Sequence, residues 1–272
     1  MPPAPRPTLI GLPYDAGSSF LYGPAEAPPR IRAALASGQS NGWSEYGDDL
    51  RGGGLLADAG DLELPATAEA RALIEAGVRR LLEAGGTPIA LGGDHSVVYP
   101  VLRALGPRHS GVTLLQIDAH PDLYEDFEGD RYSHACPFAR ILEEGLVSRL
   151  VQVGIRTMNG HQREQADRFG VEVIDMRAWA AGKRPVFFAA DPGPIYVSID
   201  LDGLDPAFAP GVSHCEPGGL TTREVIELVQ NLPKPLIGAD IVELNPRRDP
   251  YGLTAEVGAK LVKELASRML RS

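Results

Sequence analysis

The chain has 272 residues, of which 43% are hydrophobic, and it contains two cysteines. This length suffices for one large α/β domain, and two cysteines are too few for a disulfide framework or a zinc-thiolate site. The net charge of −10 argues against nucleic acid or an anionic membrane as a partner and favours a cationic substrate. We expect a single domain over residues 1–272 with a disordered lead at 1–7, and a cytoplasmic location, since neither a membrane-spanning stretch nor a secretory leader is visible.

Apolar runs alternate with helical segments along the whole chain. Strands are predicted at 8–12, 88–91, 113–117, 150–155, 171–174, 195–201 and 236–241. Helices are predicted at 28–36, 67–84, 96–105, 137–144, 160–169, 223–231 and 254–269. Thr221 and Glu224 form a capping box before the sixth helix, and the last helix carries a four-residue repeat of apolar positions, namely Leu253, Val257, Leu261, Leu265 and Met269. This alternation is typical of a parallel sheet covered by helices on both faces.

Acidic residues and histidines follow three of the predicted strands. Two of the segments place them at every second position, and the third delivers a histidine after two glycines. Alternate positions leaving a strand point to the same side, and open parallel sheets bind ligands beyond the carboxyl ends of their strands. We therefore expect six side chains to converge, and they are His95, Asp118, His120, Asp122, Asp200 and Asp202.

Four carboxylates packed together would repel one another unless cations neutralised them, so this set predicts a site for two divalent metal ions. His95 and Asp122 would complete one ligand set and His120 and Asp202 the other, with Asp118 and Asp200 shared. Imidazole and carboxylate ligands without thiolate favour Mn²⁺, with Ni²⁺, Co²⁺, Fe²⁺ and Zn²⁺ as alternatives. A solvated acidic loop could imitate one such segment, but three at strand ends favour the metal interpretation.

With these residues in view, the chain resembles the ureohydrolases, the family of arginases and agmatinases. The matching motifs are Gly-Gly-Asp-His-Ser at 92–96, Asp-Ala-His-Pro-Asp at 118–122 and Ser-Ile-Asp-Leu-Asp-Gly-Leu-Asp-Pro at 198–206. The resemblance extends over nearly the whole chain and is strongest to plant-type arginases, through the stretches 19–25, 127–135, 153–159 and 207–219. It implies a three-layer αβα fold with a mostly parallel central sheet of about eight strands, and a homo-oligomer, either trimer or hexamer.

The resemblance also implies hydrolysis of a guanidino compound to urea and an amine, with L-arginine to L-ornithine as the first choice and two Mn²⁺ per chain. A guanidinium carbon is a poor electrophile, so a water activated by two cations is needed. Glu243 corresponds to the family's guanidinium-binding glutamate, and His134 matches its proton-shuttling histidine. Asp122 is the candidate that receives a proton from the nucleophile and passes it to the leaving amine.

The residues that would hold the far end of the substrate are less clearly defined. The loop between Asp122 and His134 lacks the Asn, Ser and Asn with which animal and common bacterial arginases hold the amino acid end. Asp130 stands where plant-type arginases tend to carry Asn, and an acid there could favour a tail that bears an amine. Asn159 and His214 match plant-type positions and could contact the tail or cap loops.

Rival functions remain open at this point. Within the class they are agmatinase or another guanidino-acid hydrolase. A two-metal phosphohydrolase would want Arg or Lys beside the metals, and the ligand segments contain neither. Deacetylases of similar fold carry one zinc and a different ligand pattern, and an inactive metal-binding regulatory protein would not need His134 and Glu243. Asp205, three positions past Asp202, is predicted to bond within a turn rather than to a metal.

Overall fold

The computed structural model of the chain describes residues 6–187 and 193–272. Its strands are β1 (Arg6–Gly11), β2 (Ala57–Asp61), β3 (Gly86–Leu91), β4 (Thr113–Ile117), β5 (Arg149–Val153), β6 (Glu172–Ile174), β7 (Ile195–Asp200) and β8 (Leu236–Val242). Its helices are α1 (Ala27–Ala36), α2 (Glu69–Glu83), α3 (Val98–Leu105), α4 (Pro137–Glu143), α5 (Gly160–Phe169), α6 (Met176–Ala180), α7 (Thr222–Gln230) and α8 (Leu253–Met269). Within these two ranges, no helix is both long enough and apolar enough to span a lipid bilayer.

The eight strands form one sheet in the order β2-β1-β3-β8-β7-β4-β5-β6, and every neighbouring pair is parallel. Parallel pairs require crossover connections, and helices supply most of them. The predicted three-layer α/β fold with a parallel sheet of about eight strands is therefore confirmed. The four central strands β3, β8, β7 and β4 lie side by side, so the segments that follow them meet at one edge of the sheet.

The core consists of two apolar layers, one on each face of the sheet. Leu115 and Ile117 of β4 pack in the layer with α1, α7 and α8, whereas Leu114 packs in the layer with α2, α3, α4 and α5. Successive residues of a strand point to opposite faces, so a continuous apolar run fills both layers at once. This burial fixes the sheet and thereby the positions of the strand ends.

Several details differ from the sequence-based expectations. Strand β2 and helix α6 were not expected, because Ala57–Asp61 carries no apolar pattern and Met176–Ala180 is only five residues long. Strand β1 begins at Arg6, so the predicted lead is wrong for its last two residues, since both pair with β3; residues 1–5 lie outside the described residues. In α8 the predicted buried stripe holds except at Leu253, which is 45% exposed. The capping box of Thr221 and Glu224 is confirmed.

Candidate metal centre and active site

His95 is delivered by a tight turn that directly follows β3. The turn needs two glycines: a Cβ on Gly92 would lie 2.5 Å from Val242 Cγ1, and a Cβ on Gly93 would lie 1.8 Å from the Tyr14 carbonyl oxygen. No side chain fits at either position, so the backbone passes between its neighbours and places the imidazole fully buried at the sheet edge.

The ring of His95 is oriented by a chain of hydrogen bonds. Its Nε2 lies 2.9 Å from Ser198 Oγ, and the Ser198 hydroxyl donates to Asp240 Oδ1 at 2.7 Å. Since the hydroxyl proton is directed at the carboxylate, His95 Nε2 is the donor in its own bond. A neutral ring then carries a lone pair on Nδ1, and this buried atom has no hydrogen-bond partner among residues 6–187 and 193–272. The neighbours of that lone pair therefore decide what the site can bind.

Three carboxylate oxygens surround the His95 Nδ1 atom. Asp118 Oδ2 and Asp122 Oδ2 each lie 3.1 Å away, and Asp200 Oδ2 lies 3.2 Å away. A lone pair facing three acceptor oxygens is unfavourable by itself, but it is the donor arrangement that a divalent cation requires. The buried Nδ1 and its carboxylate neighbours therefore fit a metal ion.

A second group adjoins the first. His120 Nδ1 lies 3.0 Å from Asp202 Oδ2 and 3.6 Å from Asp118 Oδ1. Asp118 thus belongs to both groups of possible ligands, one with His95 and Asp122 and one with His120 and Asp202. Asp200 contacts the first group through Oδ2, while its Oδ1 accepts the backbone N–H of Asp202 at 2.7 Å. All six residues predicted from the sequence are brought together.

The pKa values of these groups show the cost of crowding carboxylates in a buried place. Burial and the neighbouring Asp118 carboxylate raise the pKa of Asp122 to about 6. Burial and Asp202 raise the pKa of Asp200 well above its usual range. Cations at the centre would favour the ionised carboxylates, so they would offset this cost. The raised pKa values of the carboxyl groups and the carboxylate oxygens around His95 Nδ1 both indicate a cationic ligand.

Strand alternation alone does not bring the acids together: Asp200 is the last residue of β7, but Asp122 and Glu243 lie in turns beyond their strands. Strand β4 ends at Ile117, and Asp122 has a left-handed backbone with φ of 49°. Glu243, directly after β8, has φ of 64°. Such values are uncommon for residues other than glycine, and they cluster at functional sites where the surroundings enforce them. The turns after β4 and β8, rather than the pleat of the strands, therefore aim Asp122 and Glu243.

His134 and Glu243 form a buried pair beside the acid–histidine groups. His134 Nδ1 lies 2.8 Å from Glu243 Oε1, which also accepts the backbone N–H of His95 at 2.9 Å. On the other side of the ring, Nε2 lies 2.8 Å from Ser19 Oγ and 3.1 Å from the Ser19 backbone nitrogen. Burial opposes a charge on His134, but the carboxylates of Glu243, Asp94 and Asp122 together outweigh burial and raise the pKa of His134 to about 9.

A cavity of about 440 Å³ lies over this centre. Four carboxylates line it together with His120, His134 and His214, and they belong to Asp122, Asp200, Asp202 and Glu243. His214 lies between the other two histidines, with ring centroids 5.6 Å from His120 and 5.4 Å from His134. Burial and nearby His134 lower the pKa of His214.

Two predicted substrate contacts, Asn159 and Asp130, have local structural partners. Asn159 lines the cavity, but its Oδ1 caps α5 by accepting the Gln162 N–H at 2.9 Å, and its Nδ2 donates to the Tyr124 hydroxyl at 2.6 Å. Asp130 is exposed and absent from the cavity wall, because a tight turn with Phe127 directs it outward. The predicted turn role of Asp205 is confirmed by bonds from the N–H groups of 207, 218 and 219.

Among the residues that line the cavity, the sequence analysis did not single out Ser19, Tyr124 or Gln162 as site residues. Ser19 lies in a Gly-Ser segment after β1, the neighbour of β3, so its position beside a central strand could have indicated it. Tyr124 follows Asp122 by two residues. For Gln162, three residues into a helix, no sequence signal distinguishes a core amide from a cavity amide.

A parallel sheet that gathers acids and histidines at the ends of its central strands, beside a cavity, defines an α/β protein with a candidate metal-binding active site. Comparison with known proteins identifies the family. The model of the Arginase family matches residues 6–267. The chain is 47% identical to "Arginase 1, mitochondrial" of Arabidopsis thaliana, over 96% of this chain and 80% of the relative. The chain therefore belongs to the arginase family of ureohydrolases.

Two further relatives place the chain within this family. The solved arginase from Medicago truncatula superimposes with a TM-score of 0.90 at 42% identity, covering 98% of this chain and 88% of that one. "Agmatinase, mitochondrial" of Gallus gallus is more distant, at 34% identity over 94% of this chain and 79% of the relative. The chain is thus more similar to these plant arginases than to this agmatinase.

The predicted cytoplasmic location is wrong by the same comparisons. The Arabidopsis and Medicago arginases are named mitochondrial, and a second Arabidopsis arginase is named chloroplastic/mitochondrial. The prediction took the lack of a visible leader as a sign of compartment. A folded α/β domain carries no physical property that fixes its compartment, so that inference had no basis.

Proposed function

We propose that the protein hydrolyses L-arginine to L-ornithine and urea. The observation that carries the proposal is the His134–Glu243 pair, held beside the two acid–histidine groups in a cavity whose charged wall is acidic. An acidic wall attracts a guanidinium cation. The plant relatives that match 96% of the chain also support the proposal, since they are named arginases.

The proposed metal ligands are His95, Asp118, His120, Asp122, Asp200 and Asp202, which would hold two ions with Asp118 and Asp200 shared. Support comes from the unpartnered His95 Nδ1 and from the membership of Asp118 in both groups. We propose Mn²⁺, with Ni²⁺, Co²⁺ or Fe²⁺ as alternatives, because the donors are imidazole and carboxylate without thiolate. When bound, such ions lower the pKa of a water and supply a nucleophile at neutral pH.

Glu243 is the proposed anchor of the guanidinium. Its Oε1 is occupied by His95 N–H and His134, whereas Oε2 has no hydrogen-bond partner in the part of the chain that the structure describes. Oε2 is therefore the atom that can accept a guanidinium N–H, and the fixed Oε1 sets its direction. Held in this way, the planar cation presents its carbon to the nucleophile at a fixed distance.

Two groups handle the protons of the reaction. Asp122 lines the cavity beside the proposed ions and is positioned to take a proton from the attacking water and give it to the departing amine. His134, whose pKa is raised to about 9 against the pull of burial, can hold a proton at neutral pH for delivery at the cavity. The C–N bond to the amine breaks as that nitrogen gains its proton.

We also propose that residues 1–272 form one domain, and that the protein assembles as a trimer or hexamer. The single sheet that contains all eight strands supports one domain. Large exposed side chains such as Tyr22, at 61%, and Tyr251, at 101%, are compatible with contacts between copies. Light scattering of the purified protein would measure the assembly.

Urea release tests the proposed function. Protein loaded with Mn²⁺ should release urea from L-arginine faster than from agmatine or 4-guanidinobutyrate. Equal or reversed rates would mean that the substrate is another guanidino compound. If none of the three compounds released urea, an inactive metal-binding protein would be favoured. The phosphohydrolase alternative lacks support, because no Arg or Lys occurs among the described residues that line the cavity.

A further inference from the structure

Asp94 is a fully buried acid that is neither a proposed metal ligand nor one of the described residues that line the cavity. Its Oδ1 accepts the backbone N–H of Ser96 at 3.0 Å and also the Ser96 hydroxyl, so this oxygen caps the short turn that begins at His95. Its Oδ2 accepts the backbone N–H of Gly17 at 2.8 Å, from a residue 77 positions away. A cap needs only one oxygen, so capping does not account for the second bond.

The segment that Asp94 reaches, residues 17–19, holds His134 at two points. The carbonyl oxygen of Gly17 accepts the backbone N–H of His134 at 3.0 Å. At the other end of the segment, Ser19 Oγ lies 2.8 Å from His134 Nε2. The segment therefore fixes both the backbone and the ring of His134. Because the other ring nitrogen pairs with Glu243, a shift of the segment would also change that pair.

The backbone of Gly17 thus connects Asp94 to His134, with its N–H bonded to one and its carbonyl to the other. The approach is close: a Cβ on Gly17 would lie 3.0 Å from Asp94 Oδ2 and 3.0 Å from Ser96 Oγ. A glycine permits this approach, and a larger side chain would push the segment away. A buried N–H and a buried carboxylate oxygen that lost each other would both lack a partner, so the fold favours this contact strongly.

We propose that Asp94 is a positioning residue for His134. Through Oδ2 it holds residues 17–19 against the histidine, and through Oδ1 it holds the turn that carries His95. One carboxylate thereby fixes a proposed metal ligand and the proposed proton-handling residue relative to each other, without touching the substrate or an ion. The inference rests on the proposed function, since the proton role of His134 belongs to it.

Asp94→Ser separates the two roles of Asp94. Serine is also a good cap for the turn, but its side chain is too short to hold Gly17 at the same time. The Mn²⁺ affinity and the KM for L-arginine should change by less than twofold. The kcat should fall by about ten- to hundredfold, because proton transfer depends on the placement of His134.

Proton NMR of the metal-free protein gives a readout that does not depend on catalysis. The ring N–H between His134 and Glu243 should give a downfield resonance, assigned by its loss in His134→Asn. Asp94→Ser should shift or broaden this resonance, because the ring loses the support of residues 17–19. If Asp94→Ser does not fold, Gly17→Ala disturbs the same contact from the other side, through its crowded Cβ, and should displace the same resonance.

Ser96→Ala is the matched control, because it removes the hydroxyl bonded to Asp94 Oδ1 and leaves the bond to Gly17 in place. It should leave both kcat and the His134 resonance unchanged. The inference is overturned if the variants at Asp94 and Gly17 leave this resonance unchanged. It is also overturned if Mn²⁺ affinity falls by the same factor as kcat, since Asp94 would then serve only the turn of His95. Failure of the proposed function is a separate result, namely a wild-type protein that releases no urea.

Discussion

The Nε2 atom of His95 lies 2.9 Å from Ser198 Oγ, so a serine in the middle of β7 sets the tautomer of a histidine that follows β3. The bond continues from Ser198 to Asp240 Oδ1 and from Tyr196 OH to Asp240 Oδ2, and all four residues are buried. Partners of this kind orient metal-binding histidines and make the coordinating nitrogen more basic. Residues outside the set of six proposed ligands, namely Ser198, Asp240 and Tyr196, thus help to orient one of those ligands.

Ser198→Ala should weaken Mn²⁺ binding by about 10- to 100-fold, because His95 loses the acceptor that holds its proton on Nε2. Competition with a metal-sensitive dye would measure the affinity. Ser148→Ala is the control, since Ser148 Oγ bonds only the Val112 carbonyl, away from the centre. Unchanged affinity in Ser198→Ala would show that the tautomer of His95 is set by other groups.

Asp200→Ala should lose bound metal and activity together, because its carboxylate contacts the His95 nitrogen and caps the turn that carries Asp202. Metal content after gel filtration would be measured by atomic emission. Asp205→Ala provides the comparison: it removes bonds to a turn and should lower stability while the metal is retained. A variant Asp200→Ala with two tightly bound ions would contradict its proposed role.

Stability of metal-free protein should depend on pH through His134. Its pKa is raised from an ordinary value near 6.5 to about 9 in the fold, so the ion pair with Glu243 stabilises fully below pH 6.5 and is lost as pH rises to about 9. The difference in unfolding free energy between wild type and Glu243→Gln should therefore shrink over this window, by at most about 3 kcal/mol.

Urea-induced unfolding at several pH values would measure the His134–Glu243 effect. The control is Glu83→Gln, since Glu83 pairs only loosely with Arg108, at 3.8 Å on the surface. A difference between wild type and Glu243→Gln that stays constant from pH 6.5 to 9 would mean that His134 is not charged in the fold.

Most of the fold and the proposed ligand set could be predicted from the sequence, because apolar runs mark buried parallel strands and the acids follow those runs directly. Features that depend on tertiary position could not. Strand β2 is an edge strand with exposed residues, so no apolar pattern marks it. The left-handed backbone of Asp122 and Glu243 depends on neighbours that only the assembled sheet supplies.

Gly93→Ala adds only one methyl group, but it should abolish metal binding. The added Cβ would lie 1.8 Å from the Tyr14 carbonyl oxygen. Because this oxygen belongs to the backbone, no rotation of a side chain can relieve the clash. Gly93 also accepts the Glu243 N–H through its carbonyl at 2.9 Å, so displacement of the turn moves His95 and Glu243 together.

The cost of Gly93→Ala should exceed the roughly 1 to 3 kcal/mol typical of overpacking, because backbone must shift. Gly38→Ala is its control, since a Cβ there meets nothing within 4 Å and the backbone is not left-handed. Thermal unfolding with and without Mn²⁺ separates the effects: Gly38→Ala should keep the metal-dependent rise in melting temperature, and Gly93→Ala should lose it. A Gly93→Ala protein that gained the full rise would mean that the turn can relax without moving His95, and that the glycine serves only local packing.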